Sequence, residues 1–462
     1  MRGIGKLLTV GMALAAALPT AAAKNYVYIL TGQSNSLGAV KGSPATDAML
    51  ERYRSSAKLW NGNMVRDTGV CFEKSPAWVQ VAPQLPRYGN LCMGPEYGFA
   101  HMMQRHGWHS SGADKLFIIK ASLDGGGNSF WLPKGAAWNS LTASVKKACA
   151  ELKGDTRLQA LLYLQGESDK GEEITHAPAR FLNMHARLKH AAGQGLRYAV
   201  AGECATWNGR DEKDSGGNTT ASLMRAMSES NKYVGWVRTR DLTKITSGDQ
   251  MGGHYDGKSQ ITIGARYAYA IAALEKLPFS APTRGDDPAA AADSPAAWWG
   301  GKVPGAADIA TWDVSSCASP TTLEKSVTWG GIAVLDTFSA VNIIQPGKKN
   351  AVLRVGARGI ALQEGSLSIL CPLETSVDQT WELGAGQALT CGSKSAPIAL
   401  IGKKCITLSG AQGSSVTLYL RDLPEHTWRL GSPAPKVTVI VKGKSAQLAP
   451  AGEGLYKIKS EP

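Results

Sequence analysis

The stretch YVYILTGQSN at residues 26–35 decides the fold of the first half of the chain. It opens with aromatic and β-branched residues, which indicates a short buried strand, and Gly32 to Asn35 mark the turn that ends it. Similar apolar runs follow at residues 116–119, 161–164, 198–201 and 234–237. Helical patterns lie between or after them at residues 97–105, 138–153, 179–192, 222–230 and 259–277. Strands alternating with helices predict an α/β domain, a doubly wound parallel sheet in a three-layer sandwich, over residues 24–279.

The second half of the chain has a different pattern. Residues 280–308 contain four prolines among Ala, Asp and Gly, which predicts a linker. Residues 309–462 lose the helical period and show short alternating strands separated by glycines. This pattern predicts a smaller all-β domain, either a β-solenoid or a sandwich.

The N-terminus has the features of a secretory signal peptide. Arg2 and Lys6 precede a short apolar run, and Ala21 to Ala23 supply small residues for cleavage after Ala23. Residues 1–23 are therefore predicted to be removed, which implies a secreted or periplasmic protein. The apolar run is too short to cross a bilayer, and no later run of about 20 apolar residues follows, so no integral membrane span is expected.

The amino-acid composition limits the classes of molecule that the protein is expected to bind. The 462 residues carry 50 Lys and Arg against 37 Asp and Glu, a formal net charge of +13, with an ordinary globular content of 43% hydrophobic residues. No basic run or nucleic-acid-binding motif occurs, so nucleic acid is not an expected partner. The eight cysteines suit an oxidising compartment, and Cys71 with Cys92 is the expected disulfide. No zinc-type Cys spacing occurs, and neither a metal nor an organic cofactor is expected.

Four segments carry candidate chemistry. Ser34 ends the first strand, Gly126 and Gly127 follow the second, Gln165 and Glu167 follow the third, and His254 precedes the last helix. Each has an ordinary structural interpretation as a turn, cap or polar loop. Three of the four follow strands of the predicted sheet, where active sites of this fold class form. Together they would supply a nucleophile, oxyanion donors and a base.

The same segments carry a family resemblance. GQSN, GPEYGFA, GGNS, QGESD and the HYD-to-RYA segment at residues 254–268, in that order, resemble the SGNH hydrolases, specifically the branch with sialate O-acetylesterases and the acetylxylan esterases of carbohydrate esterase family six. The resemblance covers residues 26–277 and implies a flavodoxin-like esterase domain that removes O-acetyl groups from a glycan, either sialoglycan or xylan. It assigns the nucleophile to Ser34 and the base to His254. The oxyanion contacts fall to the Ser34 backbone, Gly126 or Gly127, and Gln165, with Glu167 as a neighbouring orienting residue.

One position departs from the family pattern. The family places an Asp three residues before the catalytic His, and here that residue is Met251. Three arrangements remain open: Asp249 orients His254, a backbone carbonyl does so in a Ser–His dyad, or Glu167 substitutes. The Met251 departure is also compatible with a different class of function, a glycan-binding or adhesive protein without catalysis.

Two further segments carry weaker expectations. The irregular segment 40–93 contains Trp60, Trp78 and Tyr88, which either form a sugar-stacking wall of the cleft or pin the loop to the domain. Residues 356–393 resemble the β-strand repeats of autotransporter-type passenger domains, which agrees with a solenoid.

Overall fold

The computed structural model describes residues 23–40, 44–65, 68–87, 90–191, 195–205, 212–245, 253–347 and 350–460. The predicted signal peptide up to residue 22, Tyr88 and Asp249 lie outside these residues. Within the described part of the chain, no helix is long and apolar enough to cross a membrane.

The first half is an α/β domain built on a seven-stranded sheet. Its strands and those of a small three-stranded sheet are β1 (Lys24–Gly32), β2 (Ala39–Val40), β3 (Lys58–Asn61), β4 (Trp78–Gln80), β5 (Gln84–Arg87), β6 (Asn90–Met93), β7 (Lys115–Lys120), β8 (Asp155–Leu164), β9 (Tyr198–Gly202) and β10 (Val234–Val237). The helices are α1 (Ser34–Leu37), α2 (Pro44–Arg52), α3 (Glu96–Arg105), α4 (Ala136–Ala150), α5 (Glu172–Ala191), α6 (Thr220–Glu229) and α7 (Gly257–Glu275).

The strand order of the large sheet confirms the doubly wound prediction. The order is β10-β9-β8-β1-β7-β3-β4, and every pair is parallel except β3 with β4. The winding reverses between β1 and β8, and in open α/β sheets ligand sites form at the carboxyl ends of the strands at such a point. Ser34 and Gln165 are the residues that leave β1 and β8 at this point.

Alternation along β1 produces the three layers. Tyr28 and Leu30 are fully buried on the face that α3 and α7 cover, whereas Val27 and Ile29 are buried on the face that α4 and α5 cover. The packing of α3 on α7 is close: a Cβ on Gly98 would lie 1.9 Å from the Ile261 carbonyl oxygen. Only glycine permits this approach, which holds the helix that follows His254 firmly against the domain.

The irregular segment at residues 40–93 contributes strands and packed side chains to the α/β domain. β3 adds Trp60 to the sheet as a fully buried side chain, and Trp78 packs on Phe117 and donates its indole N–H to the Ala148 carbonyl. The hypothesis that these two tryptophans form a sugar-binding wall is therefore wrong, because their faces are used in packing. The predicted Cys71–Cys92 disulfide is also wrong: Cys71 is a free thiol beside Ser144 of α4, whereas Cys92 lies on β6.

The second half is a β-solenoid. Its strands are β11 (Ile309–Trp312), β12 (Thr321–Thr322), β13 (Val327–Val334), β14 (Val341–Ile344), β15 (Leu353–Leu362), β16 (Leu367–Leu370), β17 (Leu373–Thr375), β18 (Gln379–Leu383), β19 (Ala388–Cys391), β20 (Leu400–Ile401), β21 (Cys405–Gly410), β22 (Ser415–Leu420), β23 (Thr427–Leu430), β24 (Lys436–Val441), β25 (Lys444–Gly452) and β26 (Leu455–Ser460).

Successive coils stack in parallel. One sheet runs β11-β13-β15-β18-β21-β23 and the other β12-β14-β16-β19-β22-β24, and the antiparallel hairpin β25–β26 joins the two at the far end. Parallel pairing between coils identifies a solenoid, because a sandwich of hairpins would pair its strands antiparallel. Alternate residues point inward, and tryptophans from successive coils, such as Trp312 and Trp329 with ring planes tilted by 59°, fill the core.

Residues 280–308 connect the two regions and pack against both. The buried Arg284 guanidinium donates to the carbonyls of Ala297 and Asp287, and Trp298 belongs to the solenoid core. Trp299 stacks on Tyr269 of α7. The predicted linker thus has a packed structure, because its Ala/Pro-rich sequence includes the buried Trp298 and the partly buried Trp299.

Candidate active site

Ser34 and His254 meet at the carboxyl edge of the sheet. Ser34 is the first residue of α1, directly after β1, and His254 lies just before α7. The His254 Nε2 atom is 3.1 Å from Ser34 Oγ, although the residues are 220 positions apart in the chain. This distance suits proton transfer from a serine to an imidazole.

The turn that presents Ser34 depends on Gly32. Its φ is +138°, and a Cβ there would lie 1.9 Å from the Leu164 carbonyl oxygen. The next residue, Gln33, donates its N–H to that same carbonyl at 3.1 Å. The chain therefore turns while it is still bonded to β8, which brings Ser34 beside the residues that follow β8.

Asn35 holds the loop on both sides of His254. Its Oδ1 accepts from the Tyr255 N–H at 3.1 Å, and its Nδ2 lies 3.5 Å from the Gly253 carbonyl oxygen. The side chain is fully buried. Asn35 is part of the GQSN motif, but the sequence alone assigns it no role, because only the folded chain shows which loop it contacts.

Further contacts fix the same loop to α7. The Ile245 N–H donates to the His254 carbonyl at 2.9 Å, and Asp256 caps α7 by accepting from the Ser259 N–H at 2.9 Å. A helix whose first turn is capped in this way has a defined start. The position of His254 is therefore set by backbone bonds as well as by side chains.

Glu167 reaches this loop through Asn35. Its Oε1 accepts from Asn35 Nδ2 at 2.6 Å and from the Ala205 N–H at 3.2 Å. Burial raises the pKa of Glu167, and the hydrogen bond from Asn35 opposes that rise. Asp249, the first of the three candidates for orienting His254, lies outside the described residues.

Gln165 ties the glycine loop to the nucleophile turn. Its Nε2 donates to Gln33 Oε1 at 2.8 Å and to the Gly126 carbonyl at 2.9 Å, and its Oε1 accepts from the Trp131 indole at 3.2 Å. Both amide protons are used, so the role of Gln165 as an oxyanion donor stays a prediction. The Ser34 N–H lies in the first turn of α1 and has no acceptor among the described residues, which leaves it available.

The glycine loop is fastened to the loop after β8. Asn128 donates its backbone and side-chain N–H groups to the two carboxylate oxygens of Asp169, each at 2.8 Å. A Cβ on Gly127 would lie 2.0 Å from the Glu173 carboxylate, so a larger residue here would have to displace the Glu173 side chain. Gly126, at φ +84°, lies next to it with its carbonyl on Gln165.

A buried ion pair supports α1 from below. Lys120 Nζ donates to Glu96 Oε2 and to the Leu37 carbonyl, both at 2.8 Å, and both charged side chains are fully buried. The pair satisfies the carbonyl at the last residue of α1. Glu96, which is part of the GPEYGFA motif, thus supports the turn that presents Ser34 indirectly.

No metal cluster accompanies these residues. Across the described ranges, no group of three or more His, Cys, Asp or Glu side chains is arranged to hold a metal ion. The arrangement consists of a serine–imidazole pair, backbone donors at a helix start, and loops cross-linked by amide and carboxylate groups.

A family of known proteins matches the first half of the chain. A family model described as "Carbohydrate esterase, sialic acid-specific acetylesterase" matches residues 24–273. No curated protein matches the chain by sequence.

Two solved structures show a partial likeness. A protein from Arabidopsis thaliana is 15% identical with a TM-score of 0.37, covering 54% of this chain and 97% of its own. A carbohydrate acetylesterase from Xanthomonas citri is 13% identical with a TM-score of 0.37, covering 56% of this chain and 58% of its own.

Proposed function

The chain belongs to the carbohydrate esterase family of sialic acid-specific acetylesterases, and we propose that it removes O-acetyl groups from sialic acid through an acetyl–Ser34 intermediate. The observation that carries the proposal is the 3.1 Å contact between His254 Nε2 and Ser34 Oγ at the carboxyl edge of the sheet. A serine paired with an imidazole at a strand-to-helix turn is suited to acyl transfer.

The reaction proceeds in two steps on this geometry. His254 Nε2 takes the proton of Ser34 Oγ while Oγ attacks the acetyl carbonyl carbon, and the new oxyanion accepts hydrogen bonds from the Ser34 N–H and from the Gly126 or Gly127 N–H. The protonated imidazole returns its proton to the leaving sugar oxygen. His254 then takes a proton from a water molecule that attacks the acetyl–serine ester. As the ester bond breaks, the imidazole gives this proton to Ser34 Oγ and acetate leaves.

The orientation of His254 has three candidate sources. Asp249 would form a triad, a backbone carbonyl would leave a dyad, and Glu167 would act through Asn35. A mispaired triad acid lowers kcat by about 10⁴ in a well-studied case. If Asp249 orients the imidazole, Asp249→Asn loses activity on that scale; a variant that keeps activity within about tenfold assigns orientation to the backbone or Glu167.

The next question is which acetylated glycan the enzyme uses as its substrate. We propose sialoglycan ahead of acetylated xylan because the matching family is described as sialic acid-specific. Acetate release should be measured from O-acetylated sialoglycan and from acetylated xylan with the same enzyme preparation, with Ser34→Ala as the blank. The proposal predicts Ser34-dependent release from the sialoglycan and a much lower kcat/KM on xylan. The reverse preference would make the enzyme an acetylxylan esterase.

A non-catalytic role makes an opposite prediction. A glycan-binding protein without catalysis would release no acetate from a chromogenic acetyl ester beyond the Ser34→Ala blank.

We also propose that the protein is exported, on the basis of the signal-peptide pattern at residues 1–23. N-terminal sequencing of the mature protein from its native host should begin at Lys24.

A further inference from the structure

A buried ion pair lies where α7 meets the solenoid. Arg266, in the middle of α7, is fully buried and donates from Nη1 and Nη2 to the two carboxylate oxygens of Asp241 at 2.8 Å and 2.6 Å. The Asp241 side chain is only 9% exposed. Burial raises the pKa of Asp241, but the charge and hydrogen bonds of Arg266 outweigh that effect and lower it, so the carboxyl group is ionised at neutral pH.

The solenoid supplies further hydrogen-bond partners of this pair. Arg266 Nε donates to the Ser315 carbonyl at 2.9 Å, and Arg266 Nη2 lies 3.5 Å from the Ser316 carbonyl oxygen. The Ala318 N–H donates to Asp241 Oδ2 at 3.1 Å. These solenoid residues all follow β11 in the first coil. A buried ion pair is favourable only when its remaining donors and acceptors are also satisfied, so this pair needs the solenoid as well as the α/β domain.

The solenoid loop that receives Arg266 is itself well fixed. Asp313 Oδ1 accepts from the Ser315 N–H at 2.8 Å and from Ser315 Oγ at 2.6 Å, and both residues are buried. Ser316 Oγ donates to the Arg284 carbonyl at 3.0 Å. The carbonyl groups that face Arg266 therefore belong to a loop with its own internal bonds.

Asp241 lies at the start of the segment that holds His254. Residues 243–245 run antiparallel to residues 254–256 and pair with them. The Ile245 N–H donates to the His254 carbonyl at 2.9 Å, and the Asp256 N–H donates to the Thr243 carbonyl at 3.3 Å. Asp241 comes only two residues before this pairing begins. A displacement of Asp241 would thus be passed to the His254 loop through backbone bonds.

We propose that Arg266 and Asp241 are positioning residues for His254, and that the first coil of the solenoid completes their site, so that esterase activity depends on the solenoid. The inference rests on the proposed function, because it concerns the same serine–imidazole pair. Asn35 holds the His254 loop from the nucleophile turn, whereas the ion pair holds the segment with which that loop pairs. We expect the effect of the ion pair on rate to pass through the position of the imidazole.

The test uses four substitutions in the full chain. Arg266→Lys keeps the charge but offers three donors in place of five, and it lacks the planar fork that bridges both carboxylate oxygens. Ala318→Pro removes the solenoid N–H that Asp241 accepts, whereas its matched control Ala318→Gly keeps that N–H. Tyr269→Phe is the control on α7 itself, since it removes a buried bond from α7 to Asp313 of the solenoid that does not involve Asp241.

Three quantities are measured for each variant: kcat and KM on 4-nitrophenyl acetate, the melting temperature, and the rate at which a fluorophosphonate labels Ser34. The proposal expects Arg266→Lys to lower kcat by about 10²-fold and Ala318→Pro by about tenfold, with KM within about twofold of wild type and labelling slowed in proportion. Ala318→Gly and Tyr269→Phe should keep kcat within about twofold, although Tyr269→Phe lowers the melting temperature. If Arg266→Lys does not fold, the two Ala318 variants decide the matter.

Equal kcat in Ala318→Pro and Ala318→Gly would overturn the dependence on the solenoid. Equal losses of kcat in Arg266→Lys and Tyr269→Phe would reduce the ion pair to a stability role, and a rise in KM at constant kcat would place it in substrate binding; either result overturns the proposal. Failure of the proposed function has a different signature, because the wild type would then release no acetate from O-acetylated sialoglycan in a Ser34-dependent way, while the Ser34 labelling rates would still separate the variants.

Discussion

Asn35 joins the nucleophile turn to the base-bearing loop, so its loss should affect the chemistry more than the fold. Asn35→Ala removes the bonds to Tyr255 and Gly253 that flank His254. A shift of about 1 Å in a reacting group costs about 10²-fold. We expect kcat on a chromogenic acetyl ester to fall by about that factor while KM stays nearly constant, and the pH profile to change.

The matched control for this variant is Asn25→Ala. Asn25 is a buried asparagine at the opposite end of β1, where its side chain donates to the Lys153 carbonyl. It should lower the melting temperature without lowering kcat. A comparable loss of kcat in both variants would mean that Asn35 contributes only stability.

Glu167 offers a second test at the residue scale. Its described partners, Asn35 Nδ2 and the Ala205 N–H, are both donors, so the Oε1 of a glutamine can accept from them as well. We expect Glu167→Gln to keep kcat within about tenfold and Glu167→Ala to lose about as much as Asn35→Ala. A loss near 10⁴ in Glu167→Gln would instead identify this carboxylate as the acid that orients His254.

Sequence could predict the serine and the histidine that meet at the sheet edge, but not the residues that position them. Ser34 and His254 stand in motifs at the ends of predicted elements, and the structure brings them together. The role of Asn35 depends on a loop far along the chain, and the engagement of both Gln165 amide protons depends on three loops. No local pattern encodes such long-range bonds.

At the scale of elements, α1 depends on charged groups buried beneath it. Glu96→Gln would leave Lys120 without its counter-charge, and breaking a buried pair in this way costs about 3–5 kcal/mol. Urea denaturation should show that loss, and the esterase activity of the folded fraction should also fall because Lys120 holds the Leu37 carbonyl.

An exposed pair provides the comparison. Arg225 and Glu229 form an i,i+4 pair on α6, and such surface pairs contribute at most about 0.5 kcal/mol. Arg225→Ala should therefore leave the unfolding midpoint almost unchanged. A similar small effect of Glu96→Gln would contradict a supporting role for the buried pair.

Helices and strands whose apolar residues recur at a regular spacing could be predicted from the sequence, and elements without such spacing could not. The apolar run at residues 26–30 lies within β1, and the helical pattern at residues 259–277 corresponds to α7. β3 and β4 lie in a segment that looks like a loop, and their place in the sheet comes from tertiary contacts of Trp60 and Trp78.

At the scale of the whole molecule, the two regions share buried polar contacts. Arg266 of α7 donates to the Ser315 carbonyl at 2.9 Å, Tyr269 donates to Asp313 at 2.6 Å, and Arg105 pairs with Asp336. Sequence predicted the all-β region and left solenoid and sandwich open. Parallel pairing between coils is a long-range property that strand patterns do not encode.

Buried histidines should make stability depend on pH. Burial lowers the pKa of His426 to about 4, and its ordinary value is about 6.5. The unfolded chain therefore binds a proton more readily than the folded chain between these values, so the penalty from His426 is absent above pH about 6.5 and grows as pH falls toward 4. His426→Gln should thus gain in melting temperature relative to wild type as pH falls through this window.

The control for this effect is His176→Gln, which changes an exposed residue on α5. Its melting temperature should keep a constant difference from wild type across the same pH range. If His426→Gln also kept a constant difference, the solenoid would not contain a histidine held neutral by burial.

The central claim is that Ser34, activated by His254, carries the acetyl group. The most direct measurement is rapid acid quenching of the enzyme during turnover of a chromogenic acetyl ester, followed by peptide mapping by mass spectrometry. We predict an acetyl group on Ser34 in the wild-type protein and none at that position in His254→Ala. Undiminished acetate release by Ser34→Ala, or an acetyl group that accumulates on another side chain, would contradict the claim.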